Sequence, residues 1–465
     1  MILLSDGSVL LNEGTNTGTQ VGSRRCARLI PDSNGNYDTV GQVGGATWVV
    51  AASMATPRAY YGSVVLRDGK VLVAGGEYTG TTTQTETDKV EIYNPVTNQW
   101  TSMNPPTGWG YLGDAPCKIL PDGRVLFGSI YNNNTQIFNP VTNTWSPGGI
   151  VTGDSTEASW ALLQDDSILT VTCNSQPNLA QRYIPSSNAW ISALPSNQTL
   201  NLVLFPGSED EIGPASTLPD GRCLFIGGNG KTSVYTPPTS MLGTGSWTNG
   251  PSIPNGDLAP DAPGCVEPNG KVLFLAGAGF VGDEGYTWAH AKVYEYDPGS
   301  VTPTITQQPF PPIAGFDGNV ETFHFRFLML PTGQILMSNE ESQAIGVYTP
   351  TGAPNPAWAP TISSISLNAN GSYHLVGTQL NGLTEGATYG DDASMSSNYP
   401  IVRLRNTTTG AISYARTFNW SKTGLTVGNT PVSVEFTLPA NVNLQTYHYK
   451  VTVVANGIAS SEVSL

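Results

Sequence analysis

The sequence predicts an all-β chain: a seven-bladed β-propeller over residues 1–358, followed by an immunoglobulin-like β-sandwich over 359–465. Three observations predict it. A hairpin-turn signature recurs seven times along the chain. An aromatic-x-Pro signature, then a Trp, follows nearly every copy. Both stop at the proline-rich segment Ala353–Pro360, beyond which the strand pattern changes.

The turns fall at Asp6-Gly7, Asp68-Gly69, Asp122-Gly123, Asp165-Asp166, Asp220-Gly221, Asn269-Gly270 and Thr332-Gly333. Between apolar runs a tight hairpin needs positive φ, which glycine adopts without strain. In the second copy, Pro57 to Tyr78, strands are expected over Tyr61–Leu66 and Lys70–Ala74. The aromatic signature runs from Tyr93 to Trp100, Phe138 to Trp145, Tyr183 to Trp190, Tyr235 to Trp247 and Tyr348 to Trp358. It is looser in the first unit (Leu29 to Trp48), and the sixth has Tyr296-Asp297-Pro298 without a Trp. Each unit thus supplies four short strands, and repeats of about 45–60 residues with four strands are propeller blades. The Tyr and Trp residues of the pattern are expected to pack blade against blade. After Trp358, alternating strands run to Leu465, a length that suits a β-sandwich of about 100 residues.

Composition agrees. Glycine (52) and proline (35) are plentiful and only 12% of residues are charged, as in turn-rich β proteins. Net charge is −15, and no basic stripe exists for nucleic acid. No apolar run reaches the roughly 18 residues of a membrane helix. Scarce charge, abundant Thr, Ser and Asn, and sequons at Asn133, Asn197, Asn370, Asn406 and Asn419 suit a secreted, extracellular protein. The chain opens on a strand with no leader, so a leader is expected to have been removed or trimmed. Cys26, Cys117, Cys173, Cys223 and Cys265 show no metal-type spacing and sit in or near apolar strands. Buried free thiols are expected, with a reactive role for Cys173 as the alternative.

The paired glycines Gly75-Gly76 and Gly227-Gly228, with the Tyr and Trp positions, resemble kelch repeats. Over its whole length the chain resembles the galactose-oxidase family of copper-radical enzymes. It is still more similar to secreted microbial kelch proteins described as galactose-oxidase-like, which share segments such as Gly382–Ala393, Asn398–Arg403 and Val454–Ile458. The resemblance implies copper ligands eight residues before a hairpin turn. There Tyr60 matches the redox tyrosine, within Arg58-Ala59-Tyr60, and His324 matches one copper histidine. Phe323 stands where a second tyrosine is implied. The segment matched to a second histidine, Ala415–Trp420, has none, and the position of the crosslinking cysteine falls before Met1. At most two of four ligands remain, so copper is not expected as a cofactor.

The same station around the ring holds Tyr60, Asp114, Glu157, Ile212 (after Glu211), Asp261 and His324, with Arg58 and Arg326 close by in sequence. Inner strands converge on the axis, so these residues are expected to face one another at the channel mouth. Tyr60, Glu157, His324 and Arg326 are the candidate catalytic residues; Arg58, Asp114, Glu211 and Asp261 are the candidate ligand-binding residues. The carboxylates can simply cap blade ends. They can also hold a hard cation such as calcium, or a sugar. The leading expectation is a galactose-oxidase-like propeller, lacking a complete copper-radical site, that binds an extracellular glycan or cell-surface component. A glycan hydrolase or lyase is the second expectation, and a self-assembling structural module the third. His290, His374 and His448 are expected to be surface or structural. Asp391-Asp392 is expected to pin a sandwich turn or dock it on the propeller, with a calcium site as the alternative.

Overall fold

The computed structural model describes the chain except residues 14–20, 39–44, 81–84, 174–176, 204–210, 283–284, 288–290, 300, 312–319, 340–343 and 387–397. His290 and Asp391-Asp392 therefore lie outside the described residues.

Seven antiparallel sheets form the propeller, and their inner strands touch in ring order until Ile2–Leu3 meets Phe325–Met329. The second blade shows the plan: Gly62–Val65, Val71–Ala74, Val90–Asn94 and Gln99–Met103, from axis to rim. In its turn Leu66 N donates to Lys70 O and Gly69 N to Leu66 O, and Gly69 takes φ +80°. Asp68 Oδ1 accepts from Lys70 N at 3.1 Å. The same side-chain bond recurs at Asp6, Asp122, Asp165, Asp220 and Asn269. This explains the signature: the acidic or amide residue closes the loop and the next residue turns left-handed. In the fourth blade Asp166 does so without being glycine, at φ +68°.

The outer-strand tryptophans have a shared task. Trp100, Trp145, Trp190 and Trp247 each pack on an aromatic partner within the blade, as Tyr93 with Trp100 at 5.1 Å, whereas Trp48 stands opposite Leu29. Three of them then donate an indole N–H to the preceding blade: Trp100 to Ala52 O, Trp145 to Asn104 O and Trp247 to Ala193 O. The seventh blade departs from the expectation. It has three strands among the described residues, ending at Ala344–Tyr348. Trp358 is not on a fourth strand but in the 3-10 turn Pro356–Trp358, with its ring against Gly270 of the sixth blade. A Cβ there would stand 2.6 Å from the ring, so this turn needs glycine for space as well as for φ.

The C-terminal strands, from Thr361–Leu367 onward, form one curled eight-stranded antiparallel sheet, consistent with a β-sandwich. Ile412–Phe418 links its layers by pairing with Ile401–Asn406 at one end and Val432–Thr437 at the other. The sheet docks on the face that carries the hairpin turns. Arg67 donates to Trp420 O and Ser421 O, Arg416 to Asp68 O, and Thr423 to Leu120 O. A single apolar cluster spans both parts, from Leu4 and Val65 to Tyr399, Tyr414 and Trp420. All five cysteines are free and buried. Burial pushes the Cys117 thiol up to about 12, which opposes thiolate formation. Among the described residues no helix is long and apolar enough to cross a membrane.

One blade-edge carboxyl carries a pH prediction. Glu267 is buried before the sixth turn and accepts from Asn269 Nδ2 at 2.7 Å. Burial, reinforced by nearby Glu295, pushes its carboxyl up to about 7. Its folded value lies above its unfolded value, so its contribution is complete below about pH 4.5 and is lost as pH rises to about 7. The linkage is worth roughly 3 kcal/mol between those limits. Glu267→Gln is expected to gain stability relative to the parent as pH rises from 4.5 to 8. Urea unfolding of both proteins across that range measures the gain, and parallel pH profiles would refute the assignment.

Candidate functional site

Opposite the docked sheet, the chain enters the inner strands of the second, third, fourth and sixth blades through a constrained turn. Tyr60, Glu157 and Asp261 occupy the same station in three blades with φ +46°, +53° and +44°. In the third blade Gly113, one residue before Asp114, takes φ +56°. Left-handed backbone costs a bulky residue about 1–3 kcal/mol, so surrounding contacts must hold it. A belt of cross-blade hydrogen bonds supplies them. Gly76 N donates to Gly113 O, Thr156 Oγ1 to Ile130 O, Ser159 Oγ to Gly213 O, Asp261 N to Ile212 O, and Thr322 Oγ1 to Pro260 O.

Three groups of side chains result. Glu157, Glu211 and Asp261, from the fourth, fifth and sixth blades, bring carboxylate oxygens within 4.8 Å of one another. Glu211 and Asp261 are buried and Glu157 is half-buried. Like charges this close repel unless protons or a cation lie among them. Across the shared Thr322–Pro260 bond lies the second group. The Tyr60 ring packs edge-on to Tyr78 at 6.0 Å and to Phe323 at 6.5 Å. The Arg326 guanidinium stands 5.6 Å from the Tyr60 ring centre. His324 Nε2 lies 3.3 Å from Glu321 Oε2. The third group, at the second and third blades, contains Asp114, Glu77, Glu86, Tyr111 and Tyr131. All three of its carboxylates act electrostatically on Tyr131.

Seven of the eight expected residues fall in these three groups: Glu157, Glu211 and Asp261 in the first, Tyr60, His324 and Arg326 in the second, and Asp114 in the third. Arg58 is the exception: its side chain is fully buried inside the second blade, bonded to Glu91 at 2.6 Å and to Gly75 O and Lys89 O. Sequence reading missed Glu77, Tyr78, Glu86, Tyr111, Tyr131 and Glu321, which lie off the eight-before-the-turn register. The segment Ala415–Trp420 lies on the turn face, where Thr417 N donates to Ser5 O. The sandwich residues that enter among the inner strands are instead Leu383 to Gly386. Gln164 Nε2 donates to Leu383 O, Lys118 pairs with Glu385, and Cys265 Sγ donates to Gly386 O.

Comparison with known proteins fits this architecture. Residues 57–107 match the Kelch motif. The chain is similar in structure to a fungal alcohol oxidase of the AA5 family, with catalytic diversity, solved in complex with copper. The TM-score is 0.52 at 13% identity, covering 100% of this chain and 95% of the oxidase. No curated protein matches. The chain therefore contains a kelch motif and has the propeller fold of a galactose-oxidase-family enzyme.

Proposed function

We propose that the chain is a secreted, galactose-oxidase-like propeller that binds extracellular carbohydrate at its channel mouth and holds no complete copper-radical centre. The observation that carries this reading is the convergence of Glu157, Glu211 and Asp261 within 4.8 Å, beside a wall of Tyr60, His324 and Arg326. Carboxylates accept from sugar hydroxyls, tyrosine faces stack on sugar rings, and arginine and histidine donate. Calcium suits the three carboxylates: with Ca–O at about 2.3–2.6 Å, ligands on opposite sides of one ion stand about 5 Å apart.

The fold likeness implies copper, but the donors do not fit it. Phe323 puts a donorless ring 6.5 Å from Tyr60, and Arg326 puts a fixed positive charge beside that tyrosine. Among the described residues, the group suited to a metal is made of carboxylates alone, whereas Cu(II) prefers nitrogen and oxygen donors in a square-planar or tetragonal set. A glycan hydrolase using Glu157 is the second reading, and spacing narrows it. Inverting pairs stand about 6.5–9.5 Å apart to admit water; retaining pairs stand about 5–5.5 Å apart. The oxygens of Glu157, Glu211 and Asp261, within 4.8 Å of one another, lie nearer the closer arrangement.

Glycan-array screening followed by calorimetry tests the proposal. The parent protein is expected to bind a glycan, and Glu211→Gln and Asp261→Asn to weaken it tenfold or more with melting temperatures kept. A blank array, with self-association by light scattering, would favour the structural-module reading. Stoichiometric copper uptake with a tyrosyl-radical absorption band would overturn the rejection of copper chemistry.

A further inference from the structure

Among the described residues Tyr111 and Tyr131 are the most exposed aromatic side chains, each 54% accessible, and they sit together. Their ring centroids are 6.5 Å apart with planes tilted by 55°. Soluble β proteins rarely leave two large rings side by side in water without a use. Tyr111 precedes the buried Leu112, whose N–H donates to Thr87 O. Tyr131 is anchored by Ser129 Oγ, which accepts its backbone N–H at 3.2 Å. The platform is therefore held by backbone, with about half of each tyrosine left accessible.

Its polar flank is acidic. Glu86, Asp114 and Glu77 all act electrostatically on the Tyr131 side chain. Glu86 Oε2 is a buried oxygen reached by no hydrogen bond of the described residues. The flank continues into the axial carboxylates, because Ile130, next to Tyr131, accepts from Thr156, next to Glu157. An aromatic face beside hydrogen-bond acceptors fits a pyranose, which offers an apolar C–H face and a rim of hydroxyl donors. The local negative charge selects against uronic acids and sulfated sugars.

We propose that Tyr111 and Tyr131 form an outer stacking subsite, so that the mouth takes a neutral oligosaccharide with one unit at the axial carboxylates and a later unit on the tyrosine pair. This rests on the carbohydrate reading above and adds chain length and neutrality to it. Single-ring stacking at such surfaces is worth about tenfold in affinity.

Calorimetry with cello-, xylo-, galacto-, manno- and chito-oligosaccharides of two and five units tests it. The parent protein is expected to bind one five-unit sugar at least tenfold more tightly than its two-unit form. Tyr111→Ala and Tyr131→Ala should abolish that length preference, bringing five-unit affinity down to that of the two-unit form. Tyr131→Phe, which keeps the ring, should retain it. Glu211→Gln should weaken both lengths equally. A length preference that survives both alanine variants overturns the subsite and leaves the axial reading standing. Binding of none of the five series by the parent protein overturns both.

Discussion

Arg58→Met is expected to lower the unfolding free energy by about 3–5 kcal/mol, the cost of stranding one partner of a buried ion pair. The Arg58 and Glu91 side chains are 0% and 2% accessible and meet at 2.6 Å. Arg58 also donates to Gly75 O and Lys89 O, and Glu91 accepts from Ala55 N at 2.7 Å. One charged pair thus ties the loop before Tyr60 to two strands of its blade. Burial lowers the Arg58 pKa, and Glu91 opposes that shift. Methionine fills the space but leaves the Glu91 charge with amides alone, and no cation. Arg58→Met with Glu91→Met removes both charges and should recover much of the loss. Urea unfolding of the parent, both single variants and the double variant measures the coupling. Arg58→Lys separates a ligand role from this one. If Arg58 touched ligand, the lysine variant would lose affinity at unchanged stability; the blade role requires the reverse.

The same residue shows where sequence reading reaches its range. Arg58 stood two residues from Tyr60, which placed it at the mouth by proximity. Residues two apart share a face only on extended backbone, which the left-handed Tyr60 at φ +46° interrupts, and the partner of Arg58, Glu91, lies in a strand 33 residues on. The hairpins were legible because everything that makes them is local: Asp68 Oδ1 and Gly69 φ act within three residues. The axial station was legible because its distance from each turn repeats. Trp358 was misread for the complementary reason, since an aromatic-x-Pro followed by Trp does not say whether a fourth strand exists. Tyr111, Tyr131 and Glu86 lie in connecting loops with no fixed register, so only three-dimensional packing joins them. The entry of the sandwich was likewise invisible: Glu385 and Lys118 are 267 residues apart.

That last pair yields the second large effect. Glu385→Ala is expected to cost about 3–5 kcal/mol and to loosen the sandwich from the propeller. The Lys118 and Glu385 side chains are 5% and 2% accessible, and the Nζ–Oε1 distance is 2.6 Å. Glu385 Oε2 also accepts from Leu162 N at 2.9 Å, so one carboxylate from the sandwich holds inner strands of two blades. Burial raises its pKa, and Lys118 and the Leu162 amide only partly offset this. A carboxyl raised on folding stabilises most below its unfolded value, and that contribution erodes as pH rises through the folded value. Lys118→Met with Glu385→Leu should therefore regain stability over the single variant, and the gain over the parent should grow from pH 5 to pH 8. Denaturant unfolding read by tryptophan fluorescence checks this; single variants that lose under 1 kcal/mol would refute it. Leu383 to Gly386 occupy the channel from the turn face, which leaves the opposite mouth as the approach for a ligand. A loosened sandwich opens that floor. Ligand affinity should then fall in Glu385→Ala although no mouth residue has changed, and it should return in the double variant as the channel closes again.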